Sequence, residues 1–342
     1  MDARGIGGLK MSLPLRAVHI GAGEFSERFH APALNRLSTG EAPRVSLEAI
    51  CDLNQERAGE FARRFGYAHV YSDFLRMVDE RKPELIYCTV QPTATAGVVA
   101  KLLPMGIPIF TEKPPGVTVA QAELLAELAQ QYKTMNYVAF NRRAMPGLLR
   151  LKHWAEENGP IRYIRVEMLR NRRLEPEFGV GTAIHPLDCL RFLGGDVREV
   201  ETRCRPYPGT EARDYLVRLH FNSGVVADLA VLVDCGLLRE TYLIHAGRRM
   251  MEVALNDPYS SSFCAHGEWR YQDNTVAATD VSTDDLVAGG FVGEHNLFLD
   301  AVQSGNLPNC CLQDARHSLR LATAVHQQYS GPLSQFQTEL QL

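Results

Sequence analysis

Residues 15–26, LRAVHIGAGEFS, decide the fold of the first half of this chain. The apolar run 15–20 is typical of a buried parallel strand, and it leads straight into a glycine turn and a helical stretch. Gly21 permits a tight turn, and Gly23 lets the backbone approach a diphosphate at the N-terminus of the next helix. Ser26 stands where a third glycine is usual and is small enough for helix–strand packing. The stretch predicts a dinucleotide-binding turn made of Gly21, Gly23, Glu24, Phe25 and Ser26.

Strand-like and helical segments alternate after this turn. Alternation of this kind predicts a doubly wound parallel sheet, a Rossmann domain, over residues 14–142. The predicted strands are 15–20, 45–51, 85–90, 107–112 and 136–141, and the predicted helices are 54–65, with Asn54 as its cap, 94–104 and 118–132.

The pattern changes after residue 142. Consecutive strand-like segments with turns such as Asn222-Ser223-Gly224 predict an α/β domain, 143–330, with an open and predominantly antiparallel sheet. Residues 1–13 are expected to be a flexible leader and 331–342 a tail. The predicted strands are 161–171, 198–206, 213–221, 224–233, 239–246 and 250–255, and the predicted helices are 147–157, 186–193, 291–304 and 312–329.

An acidic residue at the end of the second strand bears on the choice of cofactor. Asp52 is placed to bind the ribose hydroxyls of NAD and to repel the 2′-phosphate of NADP; alternatively it only caps the next helix. Arg57 follows five residues later, and its positive charge opposes this repulsion, so NADP remains the alternative cofactor. Further cofactor contacts are expected where later strands end, from Thr89, Gln91, Pro92, Glu112 and Lys113.

Composition excludes several classes of protein. The formal net charge of −4 gives no case for nucleic-acid binding. The eight cysteines form no C-x-x-C pair and no zinc spacing, so we expect free thiols, no metal site and a cytoplasmic location. No apolar run reaches the roughly 20 residues that cross a bilayer, so no membrane partner is expected.

Five segments in order resemble one known family. They are GAGEFSERFHAPAL, CDLNQERA, TEKPP, VAFNRR and GTAIHPLDCLRFLGG, and together they span about residues 15 to 330. They resemble the motifs of the glucose–fructose oxidoreductase / inositol dehydrogenase / MocA (Gfo/Idh/MocA) family. The resemblance implies a Rossmann domain, an open-sheet α/β domain, and a sugar, inositol or sugar-nucleotide substrate.

The resemblance also implies catalytic residues. The family's E-K-P lysine corresponds to Lys113 and the histidine of its Asp-x-x-x-His pair to His185, but Gly181 occupies the position of the aspartate. Histidine suits the removal of a hydroxyl proton during hydride transfer, and Pro186 predicts that His185 stands at a helix start. Lys113 can stabilise a developing alkoxide. The alternatives are a core or capping histidine and a solvated surface lysine.

Several charged residues extend the candidate site. Asp188 either orients His185 or only favours the helix N-terminus. Arginine forks suit anionic groups, so a substrate-binding role is expected for Arg142, Arg143, Arg170 and Arg172, with solvated faces as the alternative. Asp188 is included in the expected substrate-binding set.

The sequence therefore predicts an NAD(P)-dependent oxidoreductase acting on the secondary alcohol or ketone of a carbohydrate-type substrate. A dinucleotide-sensing binding protein and a redox-neutral, NAD-dependent glycosidase or epimerase are the competing functions. The Lys113–Pro114 bond is expected to be cis. The apolar segment 225–233 predicts a homodimer or homotetramer formed through the second sheet.

Overall fold

A computed structural model describes residues 13–39, 41–255, 257–265, 268–273 and 284–338, with the backbone alone for 257–265 and 268–273. Residues 1–12 of the expected leader lie outside the described residues. The chain divides into two compact units, one containing Met1–Ala139 and Phe291–Arg316 and the other Phe140–Gly290 and His317–Leu342.

The first unit contains a six-stranded sheet in which every neighbouring pair is parallel. Its strand order is β3-β2-β1-β4-β5-β6, the order of a Rossmann domain. The strands are β1 (Leu15–Ile20), β2 (Val45–Cys51), β3 (His69–Tyr71), β4 (Leu85–Cys88), β5 (Ile109–Thr111) and β6 (Asn136–Val138).

Helices connect these strands. A π-helix (Ser26–His30) runs into α1 (Ala31–Ser38), and the remaining helices are α2 (Gln55–Phe65), α3 (Phe74–Arg81), α4 (Pro92–Leu102) and α5 (Val119–Tyr132). The predicted cap is confirmed, because the Asn54 side chain accepts a hydrogen bond from the Arg57 backbone N–H at 3.0 Å. Strand β3 and helix α3 were not predicted; β3 has only three residues and is mostly exposed.

The second unit is built on a nine-stranded sheet with the order β14-β13-β12-β11-β7-β10-β9-β8-β15. Its neighbours pair antiparallel except β7 and β10, which are parallel. The predominantly antiparallel prediction is confirmed. The strands are β7 (Ile161–Leu169), β8 (Val197–Pro206), β9 (Arg213–Phe221), β10 (Val226–Leu232), β11 (Arg239–Ala246), β12 (Arg249–Ala254), β13 (Asp257–Ala265), β14 (Glu268–Asp273) and β15 (Gly331–Pro332).

The sheet of the second unit is covered unevenly. Along β10, Ala227, Leu229 and Val231 are buried, while the alternate residues are only partly so. A single chain therefore does not fully bury both faces of the segment 225–233. In the described part of the chain, six α-helices follow β6: α6 (Pro146–Asn158), α7 (Phe178–Gly181), α8 (Ile184–Gly194), α9 (Asp285–Ala288), α10 (Phe291–Ser304) and α11 (Leu312–His326).

Two segments differ from their expected places. Helix α10 was expected in the second domain but belongs to the first unit, because its apolar face packs there: Phe291 stacks on Phe29 at 4.4 Å between ring centroids, and His295 stacks on Phe110 at 4.6 Å. Residues 331–338 of the expected tail are packed rather than trailing, since β15 pairs with β8 and Phe336 is buried.

Candidate functional site

The turn after β1 has room for glycine alone at its first position. Gly21 has a φ of +104°, and a Cβ there would lie 2.7 Å from the Thr89 carbonyl oxygen. A Cβ on Gly23 would meet no atom within 4 Å, so the backbone there is open to an approaching ligand. Glu24 and Phe25 begin the helical turn and are exposed, whereas Ser26 is buried. This arrangement fits a dinucleotide diphosphate.

Asp52 closes the same turn from the end of β2. Its Oδ2 accepts the Ala22 N–H at 2.8 Å, and its Oδ1 accepts the Asn54 N–H at 2.9 Å and Arg57 Nη2 at 2.7 Å. Partial burial acts to raise the pKa of this carboxyl, but the two N–H donors and the Arg57 guanidinium outweigh burial and hold that pKa below its usual value. Asp52 is therefore an ionised acceptor fixed beside the glycine turn, as a ribose-binding carboxylate must be.

A buried histidine that sequence analysis did not single out lies beneath the turn. His19 Nδ1 is 2.7 Å from the Tyr67 hydroxyl, and its Nε2 is 2.8 Å from Thr89 Oγ1 and 3.1 Å from Ser26 Oγ. The Thr89 hydroxyl donates to Gly21 O at 3.1 Å, which leaves Thr89 Oγ1 to accept a proton from Nε2. Burial, helped by the charge of a neighbouring histidine, lowers the pKa of His19 to about 3. The ring is therefore neutral, and it links Tyr67, Thr89 and Ser26 by hydrogen bonds. The only sequence signal was a polar residue inside an apolar strand.

The later strands of the first unit bring further predicted residues to strand ends. Thr89 follows β4 and is buried, while Gln91 and Pro92 are exposed at the start of α4. The segment after β5 carries Glu112, whose Oε2 accepts the Lys113 N–H at 2.9 Å. Lys113 is partly buried, and the predicted cis Lys113–Pro114 bond is present.

His185 lies in the first turn of α8 rather than before it. The helix begins at Ile184, two residues earlier than expected, because the first turn of a helix needs no internal N–H bonds and so accommodates Pro186. The imidazole is buried and meets the Phe140 ring edge-on at 6.1 Å. Gly181 ends α7, four residues before His185, and a Cβ there would meet no atom within 4 Å.

The predicted substrate-binding residues of the second unit are engaged with one another. Arg143 forks onto Asp188, with Nε 2.8 Å from Oδ2 and Nη2 2.6 Å from Oδ1, and Ser318 donates to Oδ1 at 2.6 Å. Asp188 therefore anchors Arg143 and Ser318. Arg172 is exposed and donates its backbone N–H to Asp234.

Two further guanidinium groups, the buried Arg170 and the partly buried Arg142, share one carboxylate. Arg142 forks onto Glu240 at 2.9 and 3.0 Å, and Arg170 Nη2 lies 2.5 Å from Glu240 Oε2. Burial acts to raise the pKa of Glu240, but the two arginines dominate and lower it to about 2. The ion pairs with Asp188 and Glu240 favour a structural role for Arg142, Arg143 and Arg170. The sequence had predicted substrate binding or a solvated face for them.

Comparison with known proteins places both units in one family. The description "Oxidoreductase family, NAD-binding Rossmann fold" matches residues 15–140, and "Oxidoreductase family, C-terminal alpha/beta domain" matches residues 170–331.

Two curated relatives are similar over part of their length. Inositol 2-dehydrogenase of Salmonella typhimurium (strain LT2) is 26% identical over 203 residues, which are 56% of this chain and 60% of the relative. D-glucoside 3-dehydrogenase of Escherichia coli (strain K12) is 28% identical over 199 residues, 54% of this chain and 55% of the relative. The chain thus matches little more than half the length of these relatives.

Solved structures share the fold. Levoglucosan dehydrogenase in complex with NADH and levoglucosan superposes with a TM-score of 0.82 at 18% identity, covering 94% of this chain and 100% of that one. An oxidoreductase from Agrobacterium radiobacter in complex with NAD⁺, L-tartaric acid and magnesium gives 0.78 at 17% identity, covering 92% and 96%. Among the described residues, no helix is long and apolar enough to cross a membrane. The motifs, the Rossmann strand order and the two matched regions agree, and the chain belongs to the Gfo/Idh/MocA oxidoreductase family.

Proposed function

We propose that this protein is an NAD-dependent dehydrogenase that transfers a hydride between nicotinamide and a secondary alcohol or ketone of a sugar, inositol or sugar-nucleotide substrate. The observation that carries the proposal is the ionised Asp52 carboxylate fixed beside the Gly21–Gly23 turn, which suits the ribose of NAD. Membership of an NAD-binding oxidoreductase family supports it, as do relatives named as inositol and glucoside dehydrogenases.

The proposed chemistry needs one base and one group that stabilises the alkoxide. NAD supplies the hydride acceptor when it is bound. His185 takes the hydroxyl proton as general base, and the Lys113 ammonium donates a hydrogen bond to the substrate oxygen as negative charge develops on it. Glu112 fixes the backbone of Lys113 through the 2.9 Å hydrogen bond to its N–H.

A panel of sugars and inositols tests this activity through NADH absorbance. The expected result is stoichiometric NADH formation with at least one substrate. His185→Ala should lower kcat by roughly 10²–10⁴-fold, whereas the exposed His153→Ala on α6 should not change it. Lys113→Ala should lower kcat and weaken substrate binding, with Lys101→Ala on α4 as its exposed control. If His185→Ala stays within about twofold of wild type, His185 is structural.

The second candidate function is dinucleotide sensing without turnover. The observation that favours it is Gly181, which stands where relatives with the Asp-x-x-x-His pair carry an acid. Tight NADH binding without turnover of any substrate would support it. Turnover without net change in NADH would point instead to a redox-neutral glycosidase or epimerase.

We also propose a homodimer or homotetramer through the less covered face of the second sheet, in a cytoplasmic protein. Leu216 on β9 is 52% exposed there, beside Arg218, which forks onto Asp228 at 2.8 and 3.0 Å. None of the seven cysteines whose side chains are described forms a disulfide, which fits a reducing compartment. Sedimentation at micromolar concentration should give a multiple of the chain mass, and Leu216→Glu should lower it; a wild-type mass of one chain would contradict the proposal.

A further inference from the structure

Four titratable side chains meet in the interior of the first unit. They come from three segments: His30 ends the π-helix, Glu112 follows β5, and Glu294 and His295 lie side by side on α10. His30, Glu294 and His295 are 0% exposed. One donor atom from each of these three lies within 4.8 Å of the other two.

The spacing of the donors fits a small cation. His30 Nδ1 is 3.1 Å from His295 Nε2 and 3.8 Å from Glu294 Oε1. Ligands bound tetrahedrally to Zn²⁺ with bonds of roughly 2.0–2.1 Å lie about 3.3 Å apart. The two distances from His30 Nδ1 bracket that separation, and the third pair of donors lies within 4.8 Å.

The cluster holds polar atoms that the described protein does not satisfy. Neither oxygen of Glu294 has a hydrogen-bond partner among the described residues, although both are buried. A carboxyl group in such a place must stay protonated, be paired or bind a cation, because an isolated buried negative charge is costly. A divalent cation would meet this need, and together with Glu112 and Glu294 it would leave the cluster electrically neutral.

The surroundings of His30 have the form expected around a metal ligand. Its Nε2 hydrogen-bonds to Glu112 Oε1, which directs Nδ1 toward His295 and Glu294. Metal-binding histidines commonly hold their second ring nitrogen on a carboxylate in this way. The Phe110 ring stacks on His295 at 4.6 Å and the Phe291 ring meets His30 at 5.9 Å, so the cluster is walled by aromatic groups.

We propose that His30, Glu294 and His295 bind a Zn²⁺ ion whose fourth position is taken by water, with Glu112 orienting His30. The ion ties α10 to the π-helix of the nucleotide turn. The expectation of no metal site rested on sequence spacing, and it could not detect ligands separated by more than 260 residues. The proposal does not depend on hydride transfer, because none of these three groups is assigned to the reaction.

Metal analysis of the intact protein is the first test. Protein purified without affinity metals and dialysed against metal-free buffer should hold about one zinc per chain. After chelation, Co²⁺ titration should produce visible absorption of a tetrahedral site that saturates at about one equivalent. Chelation should lower Tm, and Zn²⁺ should restore it. Zinc-free protein that takes up neither Zn²⁺ nor Co²⁺ would overturn the proposal.

Substitution of the proposed ligands gives a second test, because the direction of the change in Tm depends on whether an ion is bound. His295→Phe and Glu294→Gln should abolish the Co²⁺ absorption and make Tm insensitive to chelator, while Glu127→Gln, exposed on α5, should change neither. Without a metal, replacing a buried unsatisfied group by an apolar one tends to stabilise. A rise in Tm above that of zinc-treated wild type for Glu294→Met would therefore refute the site. So would metal binding that survives both substitutions, since it would lie elsewhere.

Discussion

Replacing Asp52 by alanine should narrow the preference for NADH over NADPH. In the wild-type protein the carboxylate is ionised and held by two backbone N–H groups and Arg57. In the proposed function it is the fixed negative charge that the adenosine ribose of the cofactor meets. A hydrogen bond to a charged group contributes about 1.5–3 kcal/mol, so its loss should weaken NADH binding roughly 10–150-fold.

NADPH should respond in the opposite direction. Removal of Asp52 takes away the charge that repels a 2′-phosphate, and it releases the Arg57 guanidinium, now 2.7 Å from Oδ1, to bind that phosphate. Asp52→Ala should therefore bind NADPH more tightly than wild type does, and Arg57→Ala in the same background should cancel that gain.

Fluorescence or calorimetric titration with both cofactors measures the effect. The ratio of the two dissociation constants is the informative quantity, because a general loosening of the turn cancels from it. Asp284→Ala is the control, since Asp284 also accepts a backbone N–H, that of Leu286 at 2.8 Å, but belongs to the other unit. Wild-type protein that binds NADPH at least as tightly as NADH, or a ratio unchanged in Asp52→Ala, would refute the role of Asp52.

Three further predictions concern stability and the altered motif. Glu240→Gln leaves the buried Arg170 and the partly buried Arg142 without their carboxylate and should lower the free energy of unfolding in urea by about 3–5 kcal/mol, while Glu252→Gln, at a partly exposed position, should change it little. Because the folded pKa of Glu240 is about 2, its contribution to stability is complete above its ordinary pKa of 4.5 and is lost as pH falls toward 2. His19 stays neutral in the folded protein, whereas in the unfolded chain it is protonated below a pH of about 6.5. The free energy of unfolding should therefore fall by about 2 kcal/mol between pH 6.5 and 5 because of His19. Identical pH profiles of the free energy of unfolding for wild type and His19→Gln would contradict this. Gly181→Asp should fold normally, because a Cβ at this position meets no atom within 4 Å. It should raise turnover if His185 needs an acidic neighbour. A fall in Tm of more than about 4 °C would show that the aspartate side chain does not fit.

Local pattern was sufficient for most of the fold. Strands β1 and β2 matched their expected bounds because most of their residues are apolar and buried, even though Arg16 in β1 and Ser46 and Glu48 in β2 are not fully buried. The three-residue β3 escaped notice, since a short exposed edge strand carries neither an apolar run nor alternation. Helix α10 was recognised as a helix, but its periodicity shows only which face is apolar and not which unit that face packs on.

The candidate site was predictable where chemistry follows directly from a strand or turn. Gly21 and Asp52 were located because the end of a strand fixes their place. Arg143 and Asp188 looked like substrate ligands because each carries a charge, and sequence gave no sign that the two lie 2.6–2.8 Å apart. Long-range pairing is a property of the folded chain, and a single sequence does not display it.

The place of α10 in the first unit has a consequence for how the chain is made. The last strand of the parallel sheet, β6, ends at Val138, but the helix that covers Tyr87 and Phe110 begins only at Phe291. On the ribosome, the nucleotide-binding half must therefore wait, with aromatic side chains uncovered, until nearly the whole second unit has been synthesised. A fragment ending near residue 142 should expose that surface and aggregate, whereas the same fragment supplied with a peptide of residues 291–316 should be rescued.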